Sequence, residues 1–210
     1  MNPLVILIGG KGTSGKSTFI SYVQQEAGAD KCKEFSTIDP VKEVVRGMFA
    51  QEEAALIKSL NINTYYTMNE LALIIKENNK ISPLYHEIME KTDVYRSLLH
   101  DIKMLWCAID DGPNVITFCL IQQFFSQGGT IAFVNCREPE QFDHIKETLT
   151  KDKPDWNVLS LNVIRDNTDN WSNEGDRETD NYNYDMTIMN NGTLEELKAN
   201  AHQFYIDLCK

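Results

Sequence analysis

Positive charge is scarce in this chain. Twenty Lys and Arg residues stand against 31 Asp and Glu over 210 residues, for a formal net charge of −11. Such a surface repels a polyanion, which argues against nucleic acid as the main partner. Any anion it binds has to be small and held by a local pocket. Long apolar runs are missing as well; none approaches the roughly 20 residues a membrane span needs. The apolar start, Leu4 to Ile8, has no basic n-region and is too short for a secretory signal. The expectation is a cytoplasmic protein with no membrane partner. The five cysteines, Cys32, Cys107, Cys119, Cys136 and Cys209, are scattered and contain no C-x-x-C pair. That fits free thiols in a reducing cytosol. His86, His100, His144 and His202 follow no metal-binding spacing, and no Ser-His-Asp or Cys-His arrangement can be argued. Internal repeats and low-complexity linkers are absent. The remaining composition, 42% hydrophobic and 24% charged, is ordinary for a globular protein, and the length suits one domain with insertions.

Against this plain background one stretch stands out. Residues Gly10 to Ser17 read GKGTSGKS and fit G-x-x-x-x-G-K-[ST] at every fixed position. The apolar run Leu4-Val5-Ile6-Leu7-Ile8 before it reads as a buried strand, and Thr18-Phe19-Ile20-Ser21-Tyr22-Val23 after it opens a helical pattern. Strand, glycine loop and helix form the context this motif requires. Its chemistry follows from the residue types. Glycines let successive backbone N–H groups turn inward around a phosphate chain, and a helix N-terminus adds its positive dipole end. Lys16 can reach the β- and γ-phosphates, and the Ser17 hydroxyl can take a place on Mg²⁺.

The rest of the chain alternates strand and helix. The pattern predicts strands at Leu4–Ile8, up to Ser36-Thr37-Ile38, at Thr130–Val134, at Val158–Ile164 and at Met186–Met189. Helices are expected over about 16–27, from Asp39-Pro40, near 138–149 and after Thr193. Thr193-Leu194-Glu195-Glu196 is a capping box. From about Gln51 to Gln127 the pattern is almost wholly helical. A polar stretch fills 166–183. Five short apolar strands separated by helices indicate a parallel sheet covered on both faces. Ligands of such sheets sit beyond the carboxyl ends of the strands. The residues just past each strand therefore belong together: Gly10–Ser17, Asp39, Asn135-Cys136-Arg137, Arg165-Asp166 and Asn190-Asn191-Gly192. Only five arginines occur: Arg46, Arg96, Arg137, Arg165 and Arg177. Three of them fall at strand ends or in the following loop. Arginine suits forked phosphate binding, so these suggest a phosphate clamp; surface salt bridges such as Arg137 with Glu138 are the alternative.

Assembled, these pieces resemble the P-loop kinases of the nucleoside monophosphate kinase group. The likeness is closest to phage-type deoxynucleoside monophosphate kinases and more distant to phosphomevalonate kinase. It rests on GKGTSGKS, on Ser36 to Glu43, on the helical run Tyr95 to Trp106, on Val134 to Glu140, and on Tyr184 to Leu197. The resemblance implies an α/β fold of the P-loop NTPase type. This would be a three-layer sandwich around a five-stranded parallel sheet, with a helical acceptor-binding insertion over about 51–127 and a lid over about 166–183, in one kinase domain spanning 1–210.

The resemblance also implies roles. ATP would be the donor, bound by Gly10, Lys11, Gly12, Thr13, Ser14, Gly15, Lys16, Ser17 and Thr18, with Asn191 and Gly192 near the adenine. Lys16, Arg137, Arg165 and Arg177 would be catalytic. The acceptor, a deoxynucleoside monophosphate in the first instance, would be held by Asp39, Arg46, Arg96 and Arg137. Ser17 and Asp39 would serve Mg²⁺. Arg165 and Arg177 would close over the triphosphate with the lid, where Trp171 offers an apolar docking group. Many P-loop kinases place an acid at the end of strand three; here that position reads Asn135-Cys136. Asp39 is the replacement candidate, unless it only caps its helix. A homodimer is left open, and the host cytoplasm is the location if the source is a phage.

Two other readings compete. A kinase acting on another phosphorylated metabolite, such as dephospho-coenzyme A, would use the same loop. A nucleotide-dependent switch would need no small acceptor. A GTPase, however, needs N-K-x-D, and the nearest stretch, Thr150-Lys151-Asp152-Lys153, fails at two of three fixed positions. A switch also gives no reason for arginines at two strand ends.

Overall fold

The computed structural model describes residues 2–47, 93–136, 139–166 and 182–209, with the backbone alone at 93–97. By its contacts the chain divides into two compact units, Met1–Thr37 with Thr117–Lys210, and Ile38–Ile116.

The first unit is built on a five-stranded sheet, all parallel, in the order β2-β3-β1-β4-β5. The strands are β1 (Leu4–Gly9), β2 (Cys32–Ser36), β3 (Ile131–Asn135), β4 (Asn157–Ile164) and β5 (Met186–Met189). β1 lies at the centre, and all six of its residues are buried. Its unbroken apolar run is what a strand covered on both faces requires. Leu4, Ile6 and Ile8 point to one side, where they pack with Phe19, Ile20 and Val23 of α1 (Lys16–Ala27) and with Leu197, Ala201 and Phe204 of the last helix, Leu194–Leu208. Val5 and Leu7 point to the other side, toward Ile121, Phe124, Phe142, Ile145 and Leu149. The two core clusters thus follow the period-2 alternation of a single strand. Thr193 caps the last helix through its side chain and Glu196 returns the bond, so the capping box read from the sequence is formed. β5, an edge strand, is mostly exposed, with Met189 half exposed.

The α/β class, the five parallel strands and the two covered faces agree with the sequence reading, and boundaries shift by one to three residues. The strand up to Ile38 ends at Ser36; the helix near 138–149 runs from Pro139 to Asp152. In the second unit a helical segment occupies 39–47 and α2 spans Asp93–Asp110. Val41, Val45 and Leu99 form its buried cluster, with Ile38, Leu98, Ile102 and Trp106 packed around them. The next helix, α3, spans Gly112–Ser126. The sequence pattern stays almost wholly helical to Gln127, with a break at Asp111-Gly112-Pro113 that the structure shows between α2 and α3, and so assigns all of α3 to the insertion. Ile121 and Phe124 instead pack with Val5 and Leu7 of β1, which is why the sheet unit resumes at Thr117. We number the two remaining helices α4 (Pro139–Asp152) and α5 (Leu194–Leu208).

Candidate functional site

The chain leaves β1 at Gly9 and enters α1 at Lys16, and the six residues between form a tight loop. Three of them hold positive φ: Gly10 (130°), Thr13 (63°) and Gly15 (98°). Glycine is required twice. A Cβ on Gly10 would run into the backbone oxygen of Val163, and one on Gly15 into the side-chain amide of Asn190. Thr13 is the exception, a β-branched residue in the left-handed region, where strain of about 1–3 kcal/mol is characteristic of ligand clamps. The loop is closed by Ser14 N donating to the Lys11 carbonyl at 3.2 Å. Gly15 is the N-cap of α1 and makes no side-chain cap, so no side chain caps the first-turn N–H groups there.

Lys16 reaches back across the loop. Its Nζ donates to the carbonyls of Gly10 and Lys11 at 2.5 and 2.8 Å. Carbonyl dipoles orient an ammonium without neutralising it. Ser17 is exposed in the first turn of α1. Together these groups present a concentrated positive region: glycine-rich backbone, a helix N-terminus and one held ammonium.

Asn190 and Ser14 stand among the residues the sequence groups at the strand ends, but their contact, and Asn162 altogether, escape a sequence reading. Asn190, buried just past β5, donates through Nδ2 to the Ser14 carbonyl at 2.8 Å. Asn162 and Ser14 are almost fully buried below Gly10, and the Asn162 Oδ1 and Ser14 Oγ atoms have no hydrogen-bond partner. A signal for Asn162 does exist. In β4, Ser160 and Asn162 put polar side chains on one face while Leu161 and Val163 stay apolar on the other. Polar residues in the interior of a strand have to be answered by partners.

Beside the loop, β3 ends at Asn135, whose Nδ2 donates to Glu34 Oε1 at 2.6 Å. Asn135 is therefore paired with a carboxylate from β2, a residue the sequence reading did not single out. Past β2, the buried Thr37 Oγ1 accepts from Gln141 Nε2 of α4 at 2.7 Å. Past β4, Arg165 is exposed, and Asp166 is tied to Asn191 twice. Asn191 Oδ1 accepts from the Asp166 amide at 2.7 Å, and its Nδ2 donates to Asp166 Oδ2 at 2.6 Å. The loops after β1, β4 and β5 thus meet at one end of the sheet, as the parallel topology requires. No family model matches the chain, and no curated protein is significantly similar to it.

The other expected residues fall elsewhere. Arg137, Arg177, Trp171 and nearly all of the 166–183 segment lie outside the described residues, as does most of the 51–127 insertion. Asp39, Arg46 and Arg96 belong to the helical unit. There Asp39 is exposed and pairs with Lys42 at 2.7 Å, Arg46 pairs with Glu43, and Arg96 is one of the helical residues of α2. Among the described residues no group of three or more His, Cys, Asp or Glu side chains could hold a metal ion. That does not conflict with nucleotide-borne Mg²⁺, which keeps several waters and takes most of its other ligands from phosphates. No cysteine forms a disulfide, and burial, with Glu34 nearby, pushes the Cys32 thiol up to about 12. Among the described residues no single helix is long and apolar enough to cross a membrane.

Proposed function

We propose that this protein is a P-loop kinase transferring a phosphoryl group from ATP to a nucleoside monophosphate, a deoxy one in the first instance. One observation carries the reading. GKGTSGKS is folded as a closed loop between a fully buried central strand and a helix N-terminus, with Lys16 held across it. On this reading the architecture is a P-loop NTPase-type three-layer sandwich.

Phosphoryl transfer asks for alignment, charge neutralisation and exclusion of water. An oxygen of the acceptor's phosphate bonds to the γ-phosphorus of ATP, and the bond from that phosphorus to the ADP oxygen breaks. The loop amides from Gly10 to Thr18 bind the triphosphate. Lys16 exchanges its carbonyl partners for the transferred group, where negative charge spreads over the equatorial oxygens. The Ser17 hydroxyl is the loop's ligand for Mg²⁺, which when bound neutralises charge on the β- and γ-phosphates. Arg137 engages the acceptor's phosphate, while Arg165 and Arg177 stabilise the triphosphate. Asn191 and Gly192 border the adenine.

The test is direct. Purified protein is given ATP and Mg²⁺ with a panel of nucleoside monophosphates, ribo and deoxy, and ADP release is followed. We expect release that depends on one or a few monophosphates. Acceptor-independent ATP hydrolysis alone would make the kinase assignment wrong. Release seen only with dephospho-coenzyme A would keep the chemistry and change the acceptor.

A further inference from the structure

One contact of the loop comes from a residue outside its motif. Asn190 Nδ2 donates to the Ser14 carbonyl at 2.8 Å. A peptide group is planar and trans, so the Ser14 C=O and the Gly15 N–H point in opposite directions. Holding the carbonyl on the buried side turns the Gly15 N–H toward the loop's interior. Gly15 needs such a hold. With φ at 98° and no side chain, its peptide could rotate at little steric cost. The absent Cβ is also what lets the Asn190 amide approach. Asn190 is a firm anchor. It is 8% exposed, and its own backbone N–H donates to the Ile164 carbonyl at 2.7 Å.

The geometry points to Asn190 as a positioning residue that aims the Gly15 amide at a bound polyphosphate. This rests on the phosphate-binding reading of the loop and names a residue of that site outside the motif. The β5–α5 loop then shapes the phosphate cradle as well as bordering the base. An amide donor fixed before the anion arrives binds more tightly than one that must first be turned.

Inorganic tripolyphosphate is the probe, because it needs neither base nor acceptor. Its dissociation constant is measured calorimetrically for wild type, Asn190→Asp and Asn190→Ala from pH 7.5 down to 5.5. Asp has nearly the shape of Asn but at neutral pH cannot donate, and its carboxylate would face the Ser14 oxygen. Both variants should bind about tenfold more weakly than wild type at pH 7.5. Burial raises a carboxyl's pKa, so the Asp variant should regain its proton, and with it a donor, as pH falls. Its deficit relative to wild type should shrink toward pH 5.5, while that of the Ala variant should not. Wild-type affinity in both variants would overturn the inference and leave the loop reading standing. Equal, pH-independent losses in both would reduce Asn190 to a packing residue and also overturn it. Failure of the wild type to bind tripolyphosphate would overturn the loop reading, and this inference with it.

Discussion

Lys16 sits between two carbonyl oxygens of its own loop, and that placement separates its chemical role from any structural one. The ammonium is held in position by the loop's own carbonyls, and on the proposed reading it serves an incoming polyphosphate. Lys16→Ala should therefore lower turnover by at least about 100-fold, the scale of losing a preorganised charge beside a developing anion. The fold should survive, because the side chain is only partly buried and belongs to no core cluster. Undiminished turnover in a folded variant would remove the loop from the mechanism. Gly15→Ala should behave in the opposite way. The new methyl group meets the Asn190 amide in a left-handed backbone, displacing a buried hydrogen bond. A cost of about 2 kcal/mol or more is expected from lost bonding and strain, read by denaturant unfolding. A loss below about 0.5 kcal/mol would mean that the loop relaxes freely around Asn190.

At the scale of elements, the return from the 166–183 segment is pinned to β4 and α4. Asp185 accepts from the Ser160 amide and hydroxyl at 2.8 Å each, and from Lys146 Nζ at 3.0 Å. Tyr182 stacks on Phe142 and donates to Asp143 Oδ1 at 2.9 Å. Burial, then that bond, pushes its hydroxyl up to about 12. For Asp185, partial burial works against ionisation, but the Ser160 bonds and the Lys146 ammonium outweigh it and hold the carboxyl below its ordinary 3.8. A carboxyl whose pKa is lower folded than unfolded stabilises the protein above its unfolded pKa. That contribution is lost as pH falls through the folded value. The side chain is about one-third exposed, so solvent and salt screen the charge. Asp185→Asn should cost at most about 1 kcal/mol, or about 2–4 °C in Tm at neutral pH. The gap should begin to narrow as pH falls below about 3.8, close below the folded value, and narrow in high salt. A gap that stays constant as pH falls through this range would show that shape, not charge, does the anchoring. Such pairings are what the sequence conceals. The β1 run, the glycine spacing and the Thr193–Glu196 box are local patterns, readable because their partners lie within a few residues. Asn190 with Ser14, Asn135 with Glu34 and Gln141 with Thr37 join residues about 100 or more positions apart. Only the sheet order brings these together. The boundary at Thr117 was hidden for a related reason. An apolar helix reads the same whether it packs on helices or on a sheet.

The whole molecule carries a net charge of −11, and in its sheet unit the Gly10–Ser17 loop is where backbone dipoles and an ammonium converge. A polyanion should therefore bind at that point and not generally over the surface, and its binding energy should appear as stability. A ligand at 100 times its Kd stabilises the native state by about 2.7 kcal/mol. For a chain of this length each kcal/mol moves Tm by about 2–4 °C, so saturating ATP with Mg²⁺ should raise it by roughly 5–11 °C. The chain forms two compact units, and the loop belongs to the one that holds the sheet. If calorimetry resolves two transitions, ATP should move the one belonging to the sheet unit. In Lys16→Ala most of the shift should vanish. Duplex DNA at the same phosphate concentration and physiological salt should produce none, since an acidic surface offers it no continuous contact. A full shift in Lys16→Ala would place the nucleotide away from the loop. A shift of the same size with duplex DNA would mean that charge repulsion does not govern what this protein binds.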